Sequence, residues 1–122
     1  MAYKMVTLLR KRDDLSMEQF RRDYEGRHAL LGRRVLQGRA IRYERRYIEP
    51  FAPDASGTAD HHVLLEVWYA DKAACEAAMA WLTSDAVARE IAEDEERIFD
   101  RSATRFYVVA EEIETPGIAD PA

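Results

Sequence analysis

Residues 61–71, "HHVLLEVWYAD", decide the fold, because they join a strand directly to the start of a helix. Apolar side chains alternate onto both faces of the predicted strand, with Val63, Leu65 and Val67 on one face and Leu64 and Trp68 on the other. Asp71 is a typical N-cap residue for the alanine-rich segment that follows. The stretch therefore predicts a strand that needs cover on both faces, followed at once by a helix.

The flanking segments place this strand third in the order β, α, β, β, α, α, β. Short apolar or alternating runs predict the strands, and helical spacing after capping residues predicts the helices. The strands are predicted at residues 3–11, 40–51, 61–69 and 104–112, and the helices at residues 16–32, 71–82 and 83–100. With right-handed crossovers this order is an α+β, ferredoxin-like split βαβ fold, with a four-stranded antiparallel sheet and helices on one face.

The helices of such a fold cover only one face of the sheet. The first, third and fourth strands carry apolar residues on both faces, and the simplest cover for the open face is the same face of a second copy. We therefore predict a homodimer of the dimeric α/β barrel type. At 122 residues the chain suits one domain, predicted at residues 1–114, and residues 115–122 are predicted to be a disordered tail.

Local signals mark the first helix and one long connection. Ser16 and Gln19 match a capping box, and Gly32 is positioned to end the helix in a left-handed cap. The buried stripe of this helix is predicted to consist of Met17, Phe20, Tyr24 and Leu31. Residues 53–60, between the second and third strands, are polar and turn-rich, which favours a mobile tip over a lid.

Two polar side chains lie beside the buried stripes of the predicted helices. His28 falls about 80° from the centre of the first helix's stripe, where an imidazole lines a cavity or bonds a backbone carbonyl. Asp94 lies within about 20° of the third helix's stripe. A carboxylate there needs a raised pKa or a donor such as His28, Tyr43 or an arginine. The alternative is a structural salt bridge to Arg97 or Arg101.

Composition disfavours several classes of protein. Cys75 is the only cysteine, so the chain has no intrachain disulfide or cysteine zinc cluster, and its helical spacing indicates core packing. The first third is basic, but acidic residues interleave it and the net charge is −5, which indicates a mixed solvated surface rather than a nucleic-acid site. No apolar run is long enough to span a bilayer, and the amino terminus lacks a signal-peptide pattern, so we expect a cytoplasmic protein.

Motifs for metal or nucleotide chemistry are missing from the sequence. His61 and His62 are neighbours on a predicted strand, so their side chains point to opposite faces and do not easily share a metal. No glycine-rich phosphate loop or nucleophile elbow is present. Glu66 is a third carboxylate able to point inward, although pairing with Arg45 or Arg10 is the favoured interpretation. The remaining candidate functions are acid–base catalysis and binding of a small molecule without catalysis.

Four stretches of the chain resemble the EthD family of dimeric α+β barrel proteins. They are "RKRDDLSMEQFRRDYEGRHALL" (10–31), "RYERRY" (42–47), "EVWYAD" (66–71) and "SDAVAREIAEDEERIFDRSATRFYVVAEE" (84–112). The most specific matches are F-x-x-x-Y/W-x-x-x-H and D-E-x-x-x-F/L-D, which here are Phe20, Tyr24 and His28, then Asp94, Glu95, Phe99 and Asp100. The resemblance spans nearly the whole chain except the tail.

The resemblance implies a homodimer with sheets packed back to back, and a pocket between each subunit's own sheet and helices that His28 would line. Relatives include polyketide cyclases, dehydratases and lactone isomerases that need no metal or organic cofactor, and related barrels bind haem. One departure concerns the second strand, which many members continue as Y-V-Q-N-H. Here Tyr47 replaces that histidine, so a mechanism that requires two histidines is not expected.

Together these features predict an enzyme without a cofactor that transfers protons on a small cyclic or aromatic, oxygenated substrate, as an isomerase, cyclase or dehydratase. His28 is the predicted general base, and Asp94 either orients it or acts as the partner acid. The predicted substrate-binding residues are Tyr24, Tyr43, Tyr47 and Trp68. The alternatives are a non-catalytic protein that binds or handles a small molecule and, with no further sequence support for His28 as a haem ligand, a haem-binding barrel.

Overall fold

The computed structural model describes residues 2–52 and 59–121, so most of the predicted tip at 53–60 lies outside the described residues. The strands are β1 (Tyr3–Leu9), β2 (Arg42–Tyr47), β3 (Val63–Tyr69) and β4 (Arg105–Val108). The helices are α1 (Met17–Asp23), a π-helical turn (Tyr24–His28), α2 (Ala29–Leu36), α3 (Lys72–Leu82), α4 (Asp85–Ile98) and a 3₁₀ turn (Arg101–Ala103). In this described part no helix is long and apolar enough to cross a membrane.

The four strands form one antiparallel sheet in the order β2-β3-β1-β4. The helices pack on one side, so the predicted α+β ferredoxin-like fold is confirmed. Two of the predicted caps are also confirmed: Ser16 and Gln19 form the capping box, and the Asp71 carboxylate accepts a hydrogen bond from the Ala74 amide.

Pairing between strands determines which side chains face the helices. Met5 lies opposite Val67, and Val67 lies opposite Tyr43, so these three side chains share one face of the sheet. We call it the helix face: Tyr3, Met5, Thr7, Leu9, Tyr43, Arg45, Tyr47, Val63, Leu65, Val67, Tyr69, Phe106 and Val108. The buried core lies between this face and the helices.

The core divides into two clusters along the helix face. One cluster is aromatic and centres on Phe20, which is fully buried against Tyr24 and Phe99. The other is aliphatic and includes the predicted core residue Cys75, which is buried. Its remaining buried members are Leu31, Val35, Leu36, Val67, Tyr69 and Ala78. The aromatic half is closely packed by edge-to-face rings, whereas a cavity lies within the aliphatic half.

The opposite face of the sheet, which we call the open face, alternates apolar and charged side chains. It consists of Lys4, Val6, Leu8, Arg42, Glu44, Arg46, Leu64, Glu66, Trp68, Arg105 and Tyr107. Glu66 pairs there with Arg46 at 2.8 Å and with Lys4 at 3.7 Å. The expected cross-strand arginine partner is therefore present, but it is Arg46 rather than Arg45 or Arg10. Glu66 does not point inward, since strand alternation turns it away from the helix face.

The first helix differs from the sequence prediction at its end and in its middle. It does not stop at Gly32 but continues to Leu36, because Leu31, Val35 and Leu36 extend its buried face over the sheet. Gly38, with a φ of 78°, takes the left-handed conformation instead. Met17, predicted to be buried, is 42% exposed at the first turn of the helix.

Candidate acid–base site

A π-helical turn carries His28, and nothing in the sequence predicted this turn. The Ala29 amide bonds to the Tyr24 carbonyl, five residues back, where an α-helix would reach four. Compared with a continuous α-helix, the extra residue rotates the side chains that follow it around the helix axis. Turns of this kind occur frequently at functional sites. In this protein the turn sets the position of His28 relative to α4 and the sheet.

His28 contacts Asp94, 66 residues later in the chain. The imidazole Nδ1 lies 2.7 Å from Asp94 Oδ2, and both side chains are largely shielded from water. The second carboxylate oxygen, Oδ1, accepts hydrogen bonds from Arg97 at 2.8 and 3.2 Å and pairs with Arg27 Nε at 3.2 Å. Both oxygens of the buried Asp94 carboxylate therefore have polar partners, as a buried charged group requires.

Charge and burial decide the protonation states of this pair. Burial lowers the pKa of His28 below its ordinary value of 6.5, and this effect outweighs the Asp94 carboxylate, which raises it. Burial by itself would raise the pKa of Asp94, but hydrogen bonds from Arg97 and His28 hold it below 3.8. At neutral pH the pair is thus a neutral imidazole beside a carboxylate. The Nδ1–H donates to Asp94, which leaves Nε2 with a free lone pair.

The His28 ring separates two concave surfaces. It is packed edge-on between Tyr24 and Phe99, with ring centroids 5.3 and 5.1 Å away. On the inner side it lines a cavity of about 340 Å³ between the helix face and the helices. Asp94 lies on the outer side, in a charged groove with Arg27 and Arg97, and does not line the cavity. In this arrangement Asp94 can orient the imidazole ring, but the Asp94 carboxylate is not exposed to a molecule in the cavity.

The cavity walls are mostly apolar. They include Met5, Leu31, Val35, Leu36, Leu65, Val67, Met79, Leu82 and Ile91. The polar or titratable groups that interrupt them are Thr7, His28, Tyr43, Tyr69, Thr83, Glu95 and Arg101. The volume lies at the lower end of the range for small-molecule sites, which run from roughly 300 to 1,000 Å³. An apolar cavity with a few polar groups suits a small organic molecule with one or two oxygen atoms.

Tyr43 reaches the cavity because Gly32 has no side chain. A Cβ atom at Gly32 would lie 2.7 Å from the Tyr43 hydroxyl and 3.0 Å from its ring carbon Cζ. The glycine misread as a helix end therefore provides space for a ring from β2. Burial raises the pKa of Tyr43 above 10.0, so its hydroxyl stays protonated and is able to donate a hydrogen bond in the cavity.

Gly32→Ala and Gly26→Ala should change the free energy of unfolding in opposite directions. Gly32→Ala is expected to lower the free energy of unfolding by about 1–3 kcal/mol, since the Tyr43 ring must move. A Cβ atom at Gly26 would meet nothing within 4 Å, so Gly26→Ala should raise the free energy of unfolding by up to about 1 kcal/mol. Urea unfolding of both variants measures the difference. Equal stabilisation by both would show that Tyr43 does not pack against α2.

The other predicted substrate-binding aromatics lie elsewhere. Tyr24 is fully buried in the aromatic cluster, and Tyr47 packs against it while its hydroxyl donates to Glu25 at 2.6 Å. Trp68 lies on the open face beneath the cations of Lys4 and Arg42. Of the four, only Tyr43 lines the cavity that His28 lines. Apart from Met17, the helical and strand periodicities placed these apolar side chains on the correct faces, but they could not show which half of the core contains the cavity.

Glu95 is the residue that sequence reasoning missed. It lines the cavity with Ala88, Ile91 and Ala92, at helical spacings of three, four and seven residues. That spacing is readable in the sequence, although Asp94 lies nearer the predicted stripe. Burial raises the pKa of Glu95 above 4.5, the nearby Asp94 charge adds to the rise, and Arg101 opposes it.

The two predicted neighbours His61 and His62 serve the structure. His61 Nε2 lies 2.9 Å from the Ala103 carbonyl oxygen, and His62 Nδ1 accepts a hydrogen bond from the Lys11 amide at 3.0 Å. They thus bond different parts of the chain. Among the described residues, no group of three histidine, cysteine, aspartate or glutamate side chains is placed to hold a metal ion.

Solved structures share this fold at low sequence identity. An EthD (ethyl tert-butyl ether) family protein from Bacillus halodurans superposes with a TM-score of 0.65, over 92% of this chain and 100% of its own, at 17% identity. The Arabidopsis thaliana protein At3g17210 superposes with a TM-score of 0.61, over 93% of this chain and 98% of its own, at 15% identity. At such identities the similarity establishes the fold only.

Sequence comparison identifies the family. No curated protein matches the chain. The model of the EthD domain matches residues 12–102, well over half of the chain, and the matched range contains both His28 and Asp94. The chain is therefore a member of the EthD domain family.

Proposed function

We propose that this protein is a cofactor-independent enzyme that moves a proton on a small cyclic or aromatic substrate carrying oxygen, in an isomerisation, cyclisation or dehydration. The observation that carries this proposal is the 2.7 Å contact between His28 Nδ1 and Asp94, in a histidine that also lines an apolar cavity. A histidine needed only for packing requires neither a buried carboxylate partner nor a cavity.

The contacts around His28 suit a general base. Asp94 is a positioning residue: it fixes the ring orientation and the tautomer in which Nε2 is unprotonated. The lowered pKa of His28 keeps the imidazole neutral at neutral pH, ready to accept a proton. Tyr43 offers a hydroxyl donor to a substrate oxygen in the same cavity. The mostly apolar walls lower the local dielectric, which strengthens each of these polar interactions.

A non-catalytic binding protein is the second candidate, because the apolar cavity by itself would hold a small molecule. Proton exchange separates the two candidates without knowledge of the natural substrate. Small cyclic ketones, β-diketones and unsaturated lactones are incubated with the protein in D₂O, and loss of the protons next to the carbonyl is followed by ¹H NMR. Binding of the same compounds is measured by saturation-transfer NMR.

The enzyme proposal expects at least one compound that binds and exchanges faster with the protein than in buffer. The exchanging compound would also indicate the substrate class. Compounds that bind in the cavity but exchange no faster than in buffer would favour the binding protein and contradict the enzyme.

We also propose a homodimer that joins two open faces. Val6, Leu8, Leu64 and Trp68 supply apolar contacts, and the alternating Arg and Glu side chains of this face suit pairing with a copy related by a twofold axis. Light scattering should give twice the mass of the chain. Leu64→Asp should halve that mass, whereas Leu30→Asp, at a residue 58% exposed on the outer side of α2, should not. A wild-type monomer at micromolar concentration would contradict the proposal.

A further inference from the structure

Glu95 is a carboxyl group that lines the cavity. Among the described residues it forms no ion pair and no side-chain hydrogen bond. Arg101, which lines the same cavity, pairs with Glu96 at 3.3 Å. The side chain is half-buried among apolar walls, where an ionised carboxylate without a partner is costly. This environment therefore favours the protonated acid more than water does, and the pKa of Glu95 is raised above 4.5.

The charged and titratable groups around Glu95 come from several elements. His28 from the π-helical turn, Tyr43 from β2, Tyr69 from β3 and Arg101 from the 3₁₀ turn line the same cavity. Asp94 is its neighbour on α4 and disfavours a second negative charge, while Arg101 favours it. His28 and Tyr43 are neutral at neutral pH, so Arg101 is the one cation among these groups.

We propose that Glu95 is the acid partner of His28, donating a proton to a substrate carbonyl oxygen while His28 removes a proton from the adjacent carbon. The inference rests on the enzymatic function proposed above and moves the acid role from Asp94, which lies outside the cavity, to Glu95, which lines it. The substrate class is then a small cyclic carbonyl compound with an acidic C–H bond next to the carbonyl group.

The proton-transfer step balances without a further reactant. His28 Nε2 takes the proton from carbon, the electron pair of that C–H bond becomes the C=C bond of an enol, and the carbonyl oxygen takes the Glu95 proton. The products are an enol, an imidazolium and a carboxylate. Return of the imidazolium proton to another carbon or to the other face of the enol, and of the enol proton to Glu95, leaves an isomerised compound and regenerates both residues. In D₂O, the imidazolium N–H first exchanges with solvent, and return of a deuteron to the same carbon leaves an exchanged compound.

The test uses Glu95→Gln, which keeps the side chain's size but carries no acidic proton. The matched control is Glu93→Gln, an exposed carboxylate of the same helix in the outer groove. In the D₂O assay, Glu95→Gln should slow exchange by about 10²-fold, the usual contribution of one acid–base group, and Glu93→Gln should not. The wild-type rate should fall at high pH as Glu95 loses its proton, and the Glu95→Gln rate should not fall there.

A second measurement needs no substrate. In a ¹³C NMR titration of glutamate carboxyl carbons, the resonance missing from Glu95→Gln should titrate above 4.5, the ordinary pKa of a glutamate side chain. Titration of that resonance at or below 4.5, or an unchanged exchange rate and pH profile in Glu95→Gln, would overturn the role of Glu95 while leaving the enzyme proposal standing. Absence of exchange by the wild-type protein with every compound would overturn both.

Discussion

Replacing His28 by alanine should slow proton exchange by about 10²-fold or more, the usual contribution of a general base. The variant loses the only imidazole that lines the described cavity, and the remaining polar groups there are weaker bases at neutral pH. We expect the fold to persist, because the ring occupies the boundary between cavity and groove rather than the centre of either core cluster. Exchange rates and circular dichroism measure the two effects.

His62→Ala is the matched control. This ring also accepts a hydrogen bond, from the Lys11 amide, but it lies outside the cavity. The His62→Ala variant should be somewhat less stable than wild type but should keep its full proton-transfer activity. If His28→Ala fails to fold, His28→Gln retains most of the volume between Tyr24 and Phe99 and repeats the test. Unchanged exchange in a folded His28 variant would show that the histidine is structural.

The pH dependence of exchange reports the His28 pKa. A histidine that acts as a base must be neutral, and burial places the pKa of His28 below 6.5 in the folded protein. Activity should therefore persist as the pH falls to 6.5 and decline only below it. The unfolded chain binds this proton at higher pH than the folded one does. Neutral His28 therefore makes its full contribution to folding stability above pH 6.5. That contribution is lost as the pH falls through the lower pKa that His28 has in the folded protein.

Replacing Asp94 by alanine should lower the free energy of unfolding by about 1–3 kcal/mol, because the largely buried Nδ1–H of His28 loses its acceptor. The ion pair with Arg27 contributes less to this loss, because Arg27 is 68% exposed and can be solvated by water. Asp94→Asn should cost less than Asp94→Ala, since the amide oxygen still accepts from Nδ1. Urea unfolding measures these differences, and Glu93→Ala, at an exposed position of α4, should change stability by less than about 0.5 kcal/mol.

Asp94→Asn also separates positioning from simple structural support. The Asp94 carboxylate raises the pKa of His28, so its neutral replacement should lower that pKa further, which NMR titration of the imidazole detects. Exchange should slow less than in His28→Ala. The stability that wild type gains from ionised Asp94 should be complete above 3.8 and disappear as the pH falls through the lower folded pKa. An unchanged His28 titration in Asp94→Asn would contradict the positioning role.

Much of the fold could be read from local chemistry. The alternation in 61–69, the capping box at Ser16 and the cap at Asp71 each depend on neighbours within a few residues, and each matches the structure. Helix phase placed His28 at the edge of one buried stripe and Asp94 within another. The sequence by itself thus determined the order of strands and helices and the two polar residues that interrupt buried faces.

Long-range packing decided the rest. The π-helical turn at Tyr24–His28 changes the phase that a regular helix predicts, and the space for Tyr43 depends on Gly32 in a different element. The same packing put Glu95 in the cavity and Asp94 behind the imidazole, although they are adjacent in sequence. Periodicity identifies the side of a helix that is buried, but only the tertiary structure determines whether that side meets packed side chains, a cavity or a charged groove, because each outcome depends on residues far away in the chain.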